Sequence, residues 1–257
     1  MERTIIKEIE KVKLKNPVLI EGLPGLGMVG RIATRYLAKE LKAKKLAELY
    51  SPHFPYYVLV NKKGNVRLLR GNFYVSKNGA GNDEIILFTG DSQAQTVEGQ
   101  YEVASSILDY AEKHNVKTVV TIGGYRKEVE EAPKVIAAST NSDLLEKALQ
   151  AEAMTSPAGN PIVGTAGLLL GLARFKKIDA LCLLAETRGY LPDPNAAKSV
   201  LKVLQKMLKI DVDLSGLDKE IEKSEKLVGR MHEIEERREK HARKMRRMEE
   251  EKVTYIS

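Results

Sequence analysis

Tryptophan is absent from the 257 residues, phenylalanine occurs four times and cysteine once. Aliphatic residues and alanine must therefore fill any core, and no disulfide framework is available. Cys182 lies in "IDALCLLAE", which reads as a buried strand and predicts a packed, inert thiol. No stretch reaches the roughly 18 apolar residues of a membrane span. The start "MERTIIKEIEKVK" also lacks the apolar centre of a secretion signal. The expectation is a cytoplasmic protein with no membrane partner. Histidines are equally sparse: His53, His114, His232 and His241 show no metal-ligand spacing with Cys, Asp or Glu, so no metal site is expected. His114 ends a predicted helix, where a partly positive imidazole suits the dipole.

Charge is plentiful. Charged residues make up 30% of the chain and hydrophobic ones 43%, with a bias to Lys, Glu and Arg that resembles hyperthermophile composition. The formal net charge of +7 would suit nucleic acid, but from Gly216 onward twelve basic side chains face eleven acidic ones. The C-terminal part is therefore no polybasic arm, and no basic cluster interleaved with aromatics or recognisable binding motif replaces it. No nucleic-acid partner is expected.

Short apolar runs alternate with helical patterns. "PVLIEG", "KLAELY", "YYVLV", "NVRLLRG", "EIILFTG", "VKTVVTIGG" and "IDALCLLAE" predict strands. "MVGRIATRYLAKEL", "TVEGQYEVASSILDYAEKH", "SDLLEKALQ", "TAGLLLGLARF" and "PNAAKSVLKVLQKML" predict helices, the last with Asp193 as N-cap and Pro194 at the first helical position. Strand then helix, repeated, predicts an α/β fold with a mostly parallel central sheet flanked by helices, plus an antiparallel hairpin near residues 55–75. A core domain over 1–214 is expected to give way to a long, charged, projecting C-terminal helix over 215–252 and a tail over 253–257. Ser215 and Asp218 form a capping-box start for that helix. Leu227, Met231, Ile234, Met245 and Met248 fall at coiled-coil spacing along it, with Arg238 and His241 in the middle of the seam.

Gly25, Gly27 and Gly30, with Gly22 just before them, sit in "EGLPGLGMVG" after a strand and before a helix. That pattern satisfies a dinucleotide-binding fingerprint, in which the backbone lets a pyrophosphate approach a helix N-terminus. Glu48, near the end of the next strand, would be the ribose-binding acid. The same glycines also permit a tight turn and close helix-to-sheet packing, and the residues alone leave the two readings level. Asp91, Ser92 and Gln93 in "TGDSQ" and Glu186, Thr187 and Arg188 in "ETRGY" should lie at the carboxyl edge of the sheet, where open α/β proteins bind ligands. None is a nucleophile with a base beside it. Gly123 and Gly124, and Gly164, Gly167 and Gly171, read as close-packing glycines. Val253, Tyr255 and Ile256 follow the charged segment as an apolar cluster that, with Ser257, suits a partner's pocket.

Taken in order, "GLPGLGMVG", "TGDSQ", "TIGGY", "GTAGLLLGLA" and "ETRGYLPDPNAAKSVL" resemble the motifs of the proteasome assembly chaperone two family, specifically its archaeal members. The similarity covers about residues 15–210. The resemblance implies a nucleoside-phosphorylase-like α/β fold with no established catalysis and no cofactor. It further implies a homo-oligomer, tetrameric or pentameric, that binds 20S proteasome α-subunits as an assembly chaperone or ATP-independent activator, alone or with chaperone paralogues. In such partners a C-terminal hydrophobic-tyrosine-any tripeptide docks between α-subunits. Here Tyr255 is third from the end of the sequence and Ile256 stands where the tyrosine would be. The alternative is a nucleotide- or nucleoside-binding enzyme using the glycine loop.

Overall fold

The central strands are apolar on both sides because alternate residues feed two different cores. Leu19 and Ile20 are neighbours in β2 (Val18–Glu21), and Val119 and Val120 in β8 (Thr118–Arg126). In each pair the first residue packs into one core and the second into the other. Period-two burial on a doubly covered sheet produces this division. One face is covered by α1 (Val29–Glu40), α3 (Ser142–Gln150) and α5 (Pro194–Leu208), through Val29 and Ala33, Ala148, and Ala197, Val200 and Leu201. The other is covered by α2 (Val97–Lys113) and α4 (Gly164–Leu172), through Val103, Ile107 and Leu169. The computed structural model describes residues 1–77, 84–128, 132–224 and 226.

The remaining strands are β1 (Ile5–Glu8), β3 (Lys44–Tyr50), β4 (Val58–Val60), β5 (Val66–Leu68), β6 (Gly71–Ser76), β7 (Ile85–Gly90), β9 (Val135–Ser139), β10 (Met154–Thr155) and β11 (Asp179–Thr187). Nine of the described strands form one sheet in the order β1-β3-β6-β7-β2-β8-β11-β9-β10. The expectation of a mostly parallel sheet is wrong. The pairs from β7 through β2 and β8 to β11, and β9 with β10, are parallel. Those from β1 through β3 and β6 to β7, and β9 with β11, are antiparallel. The sheet is therefore mixed. A parallel neighbour needs a crossover of a dozen or more residues, usually a helix. No described helix lies between β3 and β6, between β6 and β7, or between β8 and β9, so these segments turn back on the sheet. β4 and β5 form a separate antiparallel hairpin in the region where one was expected.

The long C-terminal helix is a second correction. A 3-10 turn over Ser215–Leu217 leads into helix at residues 218–224 and 226, a short stretch. The seam residues Leu227, Met231, Ile234, Met245 and Met248, with Arg238, His241 and the tail residues Val253, Tyr255, Ile256 and Ser257, lie outside the described residues.

Three of the rare aromatics are stacked in the second core. The Phe73 ring lies 4.4 Å from both Phe88 and Tyr110, and Tyr110 lies 4.5 Å from His114. His114 does occupy the C-cap of α2. However, burial beneath Tyr110 pulls its pKa down, so the imidazole tends to neutrality and not to the expected positive charge.

Candidate functional site

The parallel strands β2, β8 and β11 end side by side, and the five sequence motifs meet at that carboxyl edge. The glycine loop leaves β2 and enters α1 through a 3-10 turn at Leu26–Met28. Its glycines answer to steric contacts within the chain. A Cβ on Gly22 would stand 2.2 Å from both the Gly30 carbonyl oxygen and Thr34 Oγ1, and one on Gly30 would stand 2.3 Å from the Ile122 carbonyl oxygen. Both distances are far inside van der Waals contact, so α1 can lie against β2 and β8 only because these positions lack side chains. Gly27 has φ of +59°, and its Cβ would meet Thr187 Oγ1 at 2.6 Å. Gly25 alone has only an ordinary 3.6 Å contact, to Gln93 Nε2.

The polar groups of Gly27 are also committed. The Gly27 N–H donates to the Gly189 carbonyl at 3.4 Å, and the Gly27 carbonyl accepts from the Asp193 N–H at 2.8 Å. Asp193 in turn caps α5 by accepting from the Ala196 N–H at 2.9 Å, while its other carboxylate oxygen accepts from Thr187 Oγ1 at 2.8 Å. The segment "ETRGYLPDP" is thus a clamp on the glycine loop, with Asp193 as its centre. A phosphate cradle needs inward-pointing N–H groups free for an anion, and here the loop is held by its own chain. Asp193→Ala removes the cap and the Thr187 bond together. It is expected to lower stability by about 1–3 kcal/mol, read from the midpoint of denaturant unfolding.

"TGDSQ" serves the same end of the molecule in two ways. Gln93 donates from Nε2 to the Pro24 carbonyl at 2.7 Å, and its Oε1 accepts from the Thr165 N–H at 3.1 Å. It thereby ties the glycine loop to the first turn of α4. Asp91 receives both Arg67 guanidinium N–H groups, at 2.6 and 3.0 Å, and the Arg70 backbone N–H at 3.1 Å. Although burial raises its pKa, these bonds outweigh it and hold the carboxyl below its usual range. Ser92 Oγ bonds only locally, to the Gln93 carbonyl at 2.9 Å.

Glu186, Thr187 and Arg188 do reach the strand edge, but each is engaged. The Glu186 carboxylate accepts from Tyr125 Oη at 2.9 Å, Lys127 Nζ at 2.6 Å and the Lys134 N–H at 2.9 Å. Burial opposes its ionisation, and these donors reverse the balance and lower its pKa. Arg188 lies 3.5 Å from Glu128. Glu48 is not near the loop, because β6 and β7 stand between β3 and β2. Its carboxylate is taken by Lys45 at 2.8 Å, Tyr50 at 2.7 Å and Arg70 at 2.5 Å.

The second set of glycines divides. Cβ atoms on Gly164 and Gly167 would collide with Gln93 Oε1 and the Ile162 carbonyl, at 2.6 and 1.9 Å, while Gly171 faces open space. Gly124 lets the Leu26 carbonyl approach, since its Cβ would stand 2.7 Å away.

Beneath these motifs lies a cavity of about 510 Å³, bounded by Leu23, Gly25, Gly123, Ile162, Leu184 and Glu21. Glu21 is the residue sequence reasoning missed. It ends β2, is 1% exposed, and in the strand register stands beside Thr121, which stands beside Cys182. One carboxyl oxygen accepts from the Leu23 N–H at 3.0 Å and the other has no partner among the described residues. Burial therefore pushes its pKa up to about 8, and that of Cys182 up to about 12. At neutral pH both keep their protons, so the row supplies neither an ionised base nor a thiolate. The one available signal was a carboxylate closing an otherwise apolar run in "PVLIEG". Among the described residues no cluster of three or more His, Cys, Asp or Glu side chains is placed to hold a metal ion. None of the described helices is long and apolar enough to cross a membrane.

Comparison with known proteins is informative over nearly the whole chain. The PAC2 family profile matches residues 19–232. The crystal structure of Pyrococcus furiosus PbaB, an archaeal proteasome activator, is 36% identical with a TM-score of 0.85, covering 90% of this chain and 100% of that one. Pyrococcus furiosus PbaA, an archaeal homolog of proteasome-assembly chaperone, is 31% identical with a TM-score of 0.74, covering 96% and 99%. An uncharacterized protein of Methanocaldococcus jannaschii is 36% identical over 233 residues, which is 90% of this chain and 88% of the relative.

Proposed function

The chain belongs to the PAC2 family, and from that premise we propose that it is a non-enzymatic proteasome-binding protein, an assembly chaperone or ATP-independent activator of the 20S particle. The observation that carries this reading is the full-length likeness to the activator PbaB. The carboxyl edge of the sheet agrees with it. Where a dinucleotide-binding protein presents free loop amides, this chain spends Gly27 on Gly189 and Asp193, and its candidate ribose acid lies three strands away.

In this reading the α/β body over 1–214 assembles into a homo-oligomer, and Val253, Tyr255, Ile256 and Ser257 contact the α-subunits. Several copies of a weak tail on one oligomer raise the effective concentration of each, so the assembly holds where a single tail would not. The test compares the full chain with one lacking residues 253–257 for binding to 20S particles by sedimentation. Binding by the full chain and at least tenfold weaker binding by the truncated one are expected. Equal binding by both removes the tail from the mechanism, and no binding by either removes the partner.

A further inference from the structure

The hairpin of β4 and β5 reverses the ordinary pattern of a surface ribbon. Its inner face sends Leu59 against the second core and Arg67 onto Asp91. Its outer face sets Val58 opposite Leu68 and Val60 opposite Val66. These four aliphatic side chains are open to solvent, Val60 to 65% and Val66 to 66%. Tyr56 and Tyr57, also exposed, extend the apolar run at the base of β4. Directly opposed pairs are the unit by which a sheet face is stabilised, yet none of the described residues covers this one. A contiguous apolar patch with a polar rim marks an interaction surface.

Cations stand at the tip of the ribbon, where Lys62 and Lys63, both exposed, lie in the turn between β4 and β5. Neither Lys62 nor Lys63 forms an ion pair among the described residues, and the acidic Asp91 lies on the inner side, bound by Arg67. We infer that the outer face of this hairpin docks an acidic protein segment whose apolar side chains cover Val58, Val60, Val66 and Leu68 while its carboxylates meet Lys62 and Lys63. A second copy docked through the same face would bring Lys62 and Lys63 against themselves. A nucleic acid would satisfy the cations but leave the aliphatic square uncovered.

This inference goes beyond the proteasome reading and stands or falls separately from it, because its probe is not the proteasome. Fluorescence anisotropy of the full chain would be measured with two labelled ten-residue peptides, one of alternating Glu and Leu and one of alternating Lys and Leu. Tighter binding of the Glu peptide by at least tenfold is expected, weakening with salt. Val60→Asp with Val66→Asp, and separately Lys62→Glu with Lys63→Glu, should each reduce it at least tenfold. The second pair lies in an exposed turn, so the test does not depend on the first pair folding. Equal binding of both peptides, no binding of either, or variants that bind as the parent does would overturn it. So would loss, in the same variants, of binding to oligothymidylate or to anionic vesicles, or a change in their sedimentation, which would make the face an interface between copies.

Discussion

Replacing Glu21 by Gln is expected to abolish a fall in stability that the parent chain shows as pH rises from about 4.5 to about 8. The carboxyl is 1% exposed and has one oxygen without a partner, and burial lifts its pKa from 4.5 to about 8. Between those values the folded chain keeps the Glu21 proton and the unfolded chain releases it. Stability then decreases with rising pH, because the unfolded state binds fewer protons there, and it levels off above the folded pKa. A separation of this size corresponds to a loss on the order of 4 kcal/mol between the two ends of the window. Gln keeps the acceptor for the Leu23 N–H but leaves an amide N–H₂ buried, so Glu21→Gln should be slightly less stable than the parent at pH 5 and clearly more stable at pH 9. Denaturant midpoints of both chains across that range test this. His114, whose pKa is lowered by burial, titrates in the same window with the opposite slope, but it is common to both chains and cancels in their difference. Parallel curves would show that the Glu21 carboxyl ionises at the same pH in the folded and unfolded chain, so that burial does not hold its proton.

Gly30→Ala carries the second large effect, and its sign separates two arguments. Gly30 lies in the first turn of α1, and helix propensity alone would have Ala stabilise such a position by about 1 kcal/mol. The added Cβ, however, would stand 2.3 Å from the Ile122 carbonyl oxygen and 3.1 Å from the Leu23 carbonyl oxygen and the Gly22 Cα. All are backbone atoms that cannot swing aside, so α1 must lift off the ends of β2 and β8. A loss of about 2–4 kcal/mol is expected, comparable to overpacking a tight core. Gly171→Ala is the control, since nothing lies within 4 Å of its Cβ. There the propensity term acts alone, and a gain of up to about 1 kcal/mol is expected. Thermal unfolding of the two variants beside the parent should move the midpoint in opposite directions. If both move upward, the glycine loop is looser than its contacts indicate.

Much of the fold was legible because its signals are local. The expected helices over 142–150 and 194–208 coincide with α3 and α5, since Asn141 and Asp193 cap them through bonds to backbone N–H groups three residues on. β1, β6, β9 and β10 were not anticipated. β9 reads "VIAAS" and β10 is two residues long, too small and too short for a strand pattern to stand out. The direction of pairing was misread for a related reason: alternation of strands and helices constrains neighbours only where a helix does intervene.

At the carboxyl edge the sequence brought the right residues into view and left their roles open. Asp91, Gln93, Thr187 and the loop glycines are all there, but as parts of a latch. Glu21 escaped notice because its environment is assembled from β8, β11 and the approach to α4, all far downstream in the sequence. By itself the sequence determined the five core helices, the Asp193 cap though not the Ser215 one, most of the strands and the family, since these depend on neighbours within a few positions or on the order of motifs along the chain. Only the tertiary structure decided that the sheet is mixed, that Gly22 and Gly30 admit backbone atoms at close range, and that burial raises the pKa of one carboxyl. Pairing direction, close approach and desolvation are set by residues distant in sequence, and no local pattern carries them.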